Sequence, residues 1–99
     1  QNAKVYAEQA YDYKKHFNKY SFSQNIKELI IEMIFQLGIK KVVKFKKFNF
    51  YIRNKQLYLA ALEMIKSRWY KQTPNRVDRL IAILLSLQTI HTLKITLYG

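Results

Sequence analysis

Apolar positions recur along this chain at helical spacing almost to its end, where the spacing changes. From residue 3 to about residue 19, Val5, Ala10, Tyr13 and Phe17 return near helical intervals among Lys, Glu and Asp. That spacing predicts a helix with a weak, Tyr-rich apolar face. Residues 21–25 (Ser-Phe-Ser-Gln-Asn) interrupt it. Ser23 or Asn25 can cap the next helix, and Asn25 with Glu28 would form a capping box. Ile26, Leu29, Ile30, Met33, Ile34 and Leu37 then form a clean stripe, with Ile31 and Phe35 on other faces. A helix apolar nearly all round is a central one, so about 25–37 is the expected core helix. Gly38 is its expected stop.

Residues 39–55 mix Lys40, Lys41, Lys44, Lys46, Lys47, Arg53 and Lys55 with Phe45, Phe48, Phe50 and Tyr51. One or two short amphipathic helices fit, with Ile39, Val42 and Val43, then Phe45, Phe48 and Ile52, facing inward. Two further readings stay open: basic charge with stacking rings for single-stranded nucleic acid, or a basic helix at a membrane surface. Residues 56 to about 66 predict another helix on Leu57, Ala60, Ala61, Met64 and Ile65. The corner that follows contains the only Trp and the only Pro. Thr73 before Pro74 is a helix start: the hydroxyl can cap free amides, and Pro lacks the donor that would go unpaired there. Because the residue before Pro disfavours the α region, the preceding helix is expected to stop by about Gln72. Val77, Leu80, Ile81, Leu84 and Leu85 carry the next helix to about Gln88. Residues 93–98 then alternate apolar and polar, which reads as a strand.

The expected architecture is therefore all-α, six or seven helices around the 25–37 helix in a single domain. Composition agrees with this. Two Gly and one Pro in 99 residues are too few for a turn-rich β-fold. The absence of Cys excludes disulfides and thiolate metal sites. No uninterrupted run of 18 apolar residues occurs, so no membrane-spanning segment is expected. The chain has no secretory leader pattern, and Gln1 in place of Met reads as the start of a trimmed or processed chain. A net charge of +12 favours an anionic partner, whether nucleic acid, anionic membrane or an acidic cell-wall polymer. Glu8 and Asp12 share a helix face, as an acid/base pair would, but a solvated face beside Lys15 and Lys19 is the simpler reading. His16 and His91 lack metal-like spacing, so no metal or cofactor is expected.

The corner is also a recognisable string. Ser67-Arg68-Trp69-Tyr70-x-Gln72-Thr73-Pro74-Asn75-Arg76-x-x-Arg79 resembles the C-terminal lobe of the phage-type lysozymes, the glycoside hydrolase family 24 muramidases. Upstream, Met33-Ile34-Phe35-Gln36-Leu37-Gly38 is similar to a helix end of that family, at a matching distance from the Trp. The resemblance covers residues 24–85 well and residues 1–23 loosely, where it implies the helix that joins the family's two lobes. The 89–99 tail departs from the family.

The family's catalytic lobe lies earlier in its chains. It carries a Glu general acid, then an Asp and a Thr in a Gly-rich hairpin region. Here there is no Glu-Gly pair and no Asp-x-x-Gly-x-x-Thr, and no catalytic residue is assigned. The resemblance implies that Phe35 and Gln36, with Gly38 at the end of their helix, line a sugar cleft, and that Trp69 packs beside the glutamine. It implies that Arg76 and Arg79 face the missing lobe, Arg76 toward its catalytic Glu. Without those acids, solvated arginines or salt bridges to Asp78 or Glu63 are the plainer reading. Likewise, Trp69 reads first as a core anchor. Glu32 stands where the family often has Asn.

The expected function is that of a lysozyme-like protein or muramidase fragment, inactive alone. Its expected partners are peptidoglycan, a missing catalytic lobe or other protein, or a second copy, in a cell-envelope or phage-lysis setting. The alternative is a small basic nucleic-acid-binding protein. The apolar character of the helix after Pro74 disfavours it, because a recognition helix needs a polar groove face.

Overall fold

The computed structural model describes residues 3–13 and 22–98. They form α1 (Ala3–Tyr13), α2 (Gln24–Leu37), α3 (Ile39–Lys44), α4 (Lys46–Arg53), α5 (Leu57–Ile65), α6 (Arg68–Gln72) and α7 (Pro74–Tyr98). No strand occurs among the described residues, and the fold class is all-α. The expected continuation of the first helix to about residue 19, with Phe17, Lys15, Lys19 and His16, lies outside the described residues. The chain divides into two compact units, Gln1–Phe45 and Lys46–Gly99.

In the first unit α2 packs against α1 and α3. Ser23, not Asn25, is its N-cap, with an extended backbone and Oγ accepting from the Ile26 amide at 3.4 Å. Asn25 falls inside the helix, and Glu28 accepts from Gln24 Nε2 at 3.2 Å instead of closing a capping box. Ile26, Leu29, Ile30, Ile31, Met33 and Ile34 are buried, as an apolar circumference predicts. Gly38 ends the helix at φ 87°, ψ 150°, a region essentially restricted to glycine. Its amide donates to the Ile34 carbonyl at 2.8 Å. On α1 the buried side chains are Ala7, Ala10 and Tyr11, whereas Val5 is exposed. The face is rotated from the expected one because Tyr11 supplies the large apolar ring. Lys27 of α2 sits 5.4 Å from that ring's centroid, a cation–π pair that fixes the two helices.

In the second unit α5 is the hub, packing on α4, α6 and α7. The 39–55 segment takes the amphipathic reading: Ile39 and Val42 are buried on α3, Phe48 and Ile52 on α4. The turn after α4 closes at Lys55, in the left-handed region at φ 57°. Lys55 N–H donates to the Ile52 carbonyl and Gln56 N–H to the Tyr51 carbonyl, the paired bonds of a Schellman stop. Leu57, Ala60, Ala61 and Met64 of α5 meet Val77, Leu80, Ile81 and Leu84 of α7 in the unit's buried set. Ile65 and Leu85 are exposed, although the spacing had placed them on the apolar faces.

The tail overturns the strand expectation. Residues 93–98 continue α7, which runs 25 residues from Pro74 to Tyr98. A strand needs a partner for its backbone groups, and there is none among the described residues; a helix satisfies its own. Although the sequence lacks an 18-residue apolar run, Pro74–Leu97 is long and apolar enough to cross a membrane by length and composition alone.

Candidate functional site

Each residue expected in a cleft is positioned by local helix chemistry. Phe35 and Gln36 sit on the last turn of α2, just before the Gly38 stop. Phe35 is exposed, an uncommon state for a ring in the best-buried helix of its unit. Gln36 is half-buried, and its Nε2 donates to Glu32 Oε2 at 3.2 Å, one turn back. Glu32 thereby orients the amide. A Cβ built at Gly38 would meet nothing within 4 Å, so glycine is required there by backbone conformation and not by crowding.

The other expected residues belong to the second unit. A serine relay builds the corner. Ser67 Oγ donates to the Met64 carbonyl at 2.6 Å, closing α5, and accepts from the Tyr70 amide at 3.2 Å, opening α6. This short helix was not legible in the sequence, although Ser67 preceding a polar-aromatic run was its signal. Trp69, on α6, is buried and serves as the core anchor. Thr73 does not cap α7. Its hydroxyl donates back to the Trp69 carbonyl at 3.3 Å, and its amide reaches the same oxygen at 3.0 Å. Pro74 opens α7 as expected, and Val77 N–H makes the first bond back to the Thr73 carbonyl.

Arg76 and Arg79 lie three apart on the first turns of α7, both exposed. Of the two plainer readings, solvated arginines or salt bridges to Asp78 or Glu63, both take the solvated one. Glu63 pairs with Lys66 at 3.0 Å, and Asp78 accepts from the Tyr70 hydroxyl at 2.8 Å. That hydrogen bond, with partial desolvation and the Asp78 charge, pushes the Tyr70 hydroxyl above its usual 10.0. Among the described residues, two guanidinium groups therefore face solvent on one side of α7 without a carboxylate partner.

Two proteins of Dictyostelium discoideum are similar to this chain in sequence. Probable T4-type lysozyme 1 is 41% identical over 66 residues, 66% of this chain and 39% of its own length. Probable T4-type lysozyme 2 is 38% identical over 63 residues, 64% of this chain and 37% of its own length. The chain is related to the phage-type lysozymes. It spans less than two-fifths of the length of these lysozyme relatives. No family model and no solved structure matches it.

For a lysozyme relative, the carboxylates are the residues to account for. Glu28, Glu32 and Glu63 each accept from a residue three or four positions away, and Asp78 accepts from Tyr70. Glu8 is exposed on α1. The suggested Glu8–Asp12 pair depends on a side chain outside the described residues. No group of three or more His, Asp or Glu able to hold a metal ion occurs among the described residues. Among the described residues, the buried polar side chain is Asn49 on α4, for which the helical spacing gave no signal.

Proposed function

We propose that residues 1–99 act as the non-catalytic helical lobe of a phage-type muramidase, contributing one wall of a glycan cleft and lacking hydrolase activity by themselves. The supporting observation is the likeness to two T4-type lysozymes over less than two-fifths of their length. Glycoside hydrolysis takes two carboxyl groups flanking the scissile bond. Here Glu28, Glu32 and Glu63 are tied to neighbours close in sequence. Phe35 and Gln36 supply the exposed ring and the oriented amide that sugar binding uses. Arg76 and Arg79 supply donors for carboxylates, whether those of peptidoglycan or those of a catalytic lobe. The +12 charge favours the same anionic polymer and a cell-envelope or lysis setting.

Insoluble peptidoglycan tests both halves of the proposal. The chain is expected to co-sediment with it and to leave the turbidity of a cell-wall suspension unchanged. Gln36→Ala, with helicity checked by circular dichroism, is expected to lower the bound fraction. Clearing of the suspension would sink the claim of inactivity, and absence from the pellet would sink the binding claim.

A second reading has one observation of its own. The outer face of α4 carries Lys46, Lys47 and Arg53 around Phe50, which is exposed and meets Tyr51 edge-on at 5.7 Å between centroids. Basic charge beside an exposed ring is the pattern of single-strand binding. Single-stranded DNA retention that falls steeply with salt and depends on Phe50, without retention on peptidoglycan, would favour this reading.

A further inference from the structure

The distal half of α7 is unexplained by the lysozyme reading. The helix is held to its unit by one face only. Val77, Leu80, Ile81 and Leu84 are buried. One turn beyond Leu84, Gln88 Oε1 accepts from the Leu57 amide at 3.0 Å, and Thr89 Oγ1 meets the Tyr58 hydroxyl at 3.1 Å. Both contacts tie α7 to the start of α5. Past them every side chain from Ile90 to Leu97 is exposed.

A second apolar stripe runs along α7, away from those contacts. Ile83, Ile90 and Leu97 are seven apart, with Leu93 between the last two, so all four share a face. Exposure along it rises from 42% at Ile83 to 70% at Leu97. Gln88, Thr92 and Thr96, four apart, occupy another face with His91 beside them. Charge on the apolar side has one sign. Arg76 precedes Ile83 by seven residues, Arg79 by four, and Lys94 follows Ile90 by four. No carboxylate shares that face.

The charge selects the occupant. A second copy docked in parallel on this stripe would set Arg76, Arg79 and Lys94 against their own counterparts with no acid to offset them. A surface that is anionic outside and apolar beneath matches both the stripe and its cations. We infer that the distal half of α7 docks on an anionic lipid bilayer, lying in the interface with Ile90, Leu93 and Leu97 turned into the acyl boundary and Arg76, Arg79 and Lys94 at the headgroups. It does not span. The residues past the last contacts with α5, 90–97, reach about 12 Å at 1.5 Å per residue. The hydrocarbon layer is about 30 Å thick. A longer span would pull Ile81 and Leu84 out of the unit's core.

The test is flotation of the 99-residue chain with phosphatidylcholine vesicles, plain or containing about a third phosphatidylglycerol. The chain is expected to float with the anionic vesicles, less so at high salt, and not with the plain ones. The double substitution Leu93→Gln/Leu97→Gln touches exposed positions only and is expected to keep native helicity. It is expected to lower vesicle partitioning by roughly tenfold or more while leaving peptidoglycan retention unchanged. Equal partitioning of the folded variant would overturn the proposal. So would a lipid-free dimer in sedimentation equilibrium that the same substitutions abolish, because the stripe would then belong to a second copy.

Discussion

Helices α2 and α7 begin alike and end differently. Each has a clear start, Ser23 for α2 and Thr73-Pro74 for α7, and each opens with an apolar stripe at helical spacing. α2 stops after 14 residues because Gly38 follows, and its burial runs from Ile26 to Ile34. α7 meets neither Gly nor Pro before Gly99. It outlasts its own core by about four turns, since burial ends at Leu84 and the helix at Tyr98. In these two helices, length therefore follows the stop signal and not the extent of packing. Where burial and stop coincide, the helix is a core element. Where they part, an apolar surface is left free.

Substitution along the two helices sharpens that contrast. Met33→Ala, at a fully buried position of α2, is expected to cost about 2–5 kcal/mol. Leu93→Ala on distal α7 is expected to stay within about 0.5 kcal/mol. Urea unfolding of both variants measures the difference, and equal losses would break the comparison. Next in size is the stop itself. Gly38→Ala is expected to cost about 1–3 kcal/mol from backbone strain alone, since the space before it is open. A neutral result would show that the helix end can relax.

Smaller again is the contact that marks where α7 leaves the core. No side chain of α5's own N-cap residue, Gln56, caps it, and Gln88 serves instead. Gln88→Ala is expected to cost about 1 kcal/mol and to speed hydrogen exchange at the Leu57 amide. Smallest is the Tyr70–Asp78 bond that ties α6 to the second turn of α7. The raised pKa of Tyr70 means that the folded chain holds the proton more tightly than the unfolded chain. Its contribution is whole below the ordinary tyrosine value of 10.0 and is lost as pH rises through the folded value. Thermal melts compared between pH 8 and pH 11 are expected to fall less for Tyr70→Phe than for the parent chain.

Much of the fold was legible in the residues, and the reasons are local. Gly38 and Pro74 act on their own backbone angles, Ser23 reaches an amide three residues on, and helical spacing marks Ile26 to Ile34 whatever they pack against. The failures share a reason as well. Thr73 was expected to cap forward but bonds backward to Trp69, because its hydroxyl is within reach of two helix ends and only their placement decides between them. Residues 93–98 alternate like a strand, but alternation specifies a strand only when another strand offers its backbone. The expected cleft residues were readable one by one through the lysozyme likeness. Their environments were not: Gln36 held by Glu32, Trp69 buried, and Arg76 and Arg79 left to solvent.

By itself the sequence determined the helical class, the Pro74 start of α7, the glycine stop of α2 and the lysozyme likeness, and it narrowed the start of α2 to Ser23 or Asn25, because each rests on chemistry within a turn or on residue identity. Only the tertiary structure decided that Gln88 caps α5 from 31 residues away and that α7 continues past its core with an apolar face uncovered. Those features depend on which groups come together in space and on which apolar surfaces find no partner, and neither is a property of any one segment.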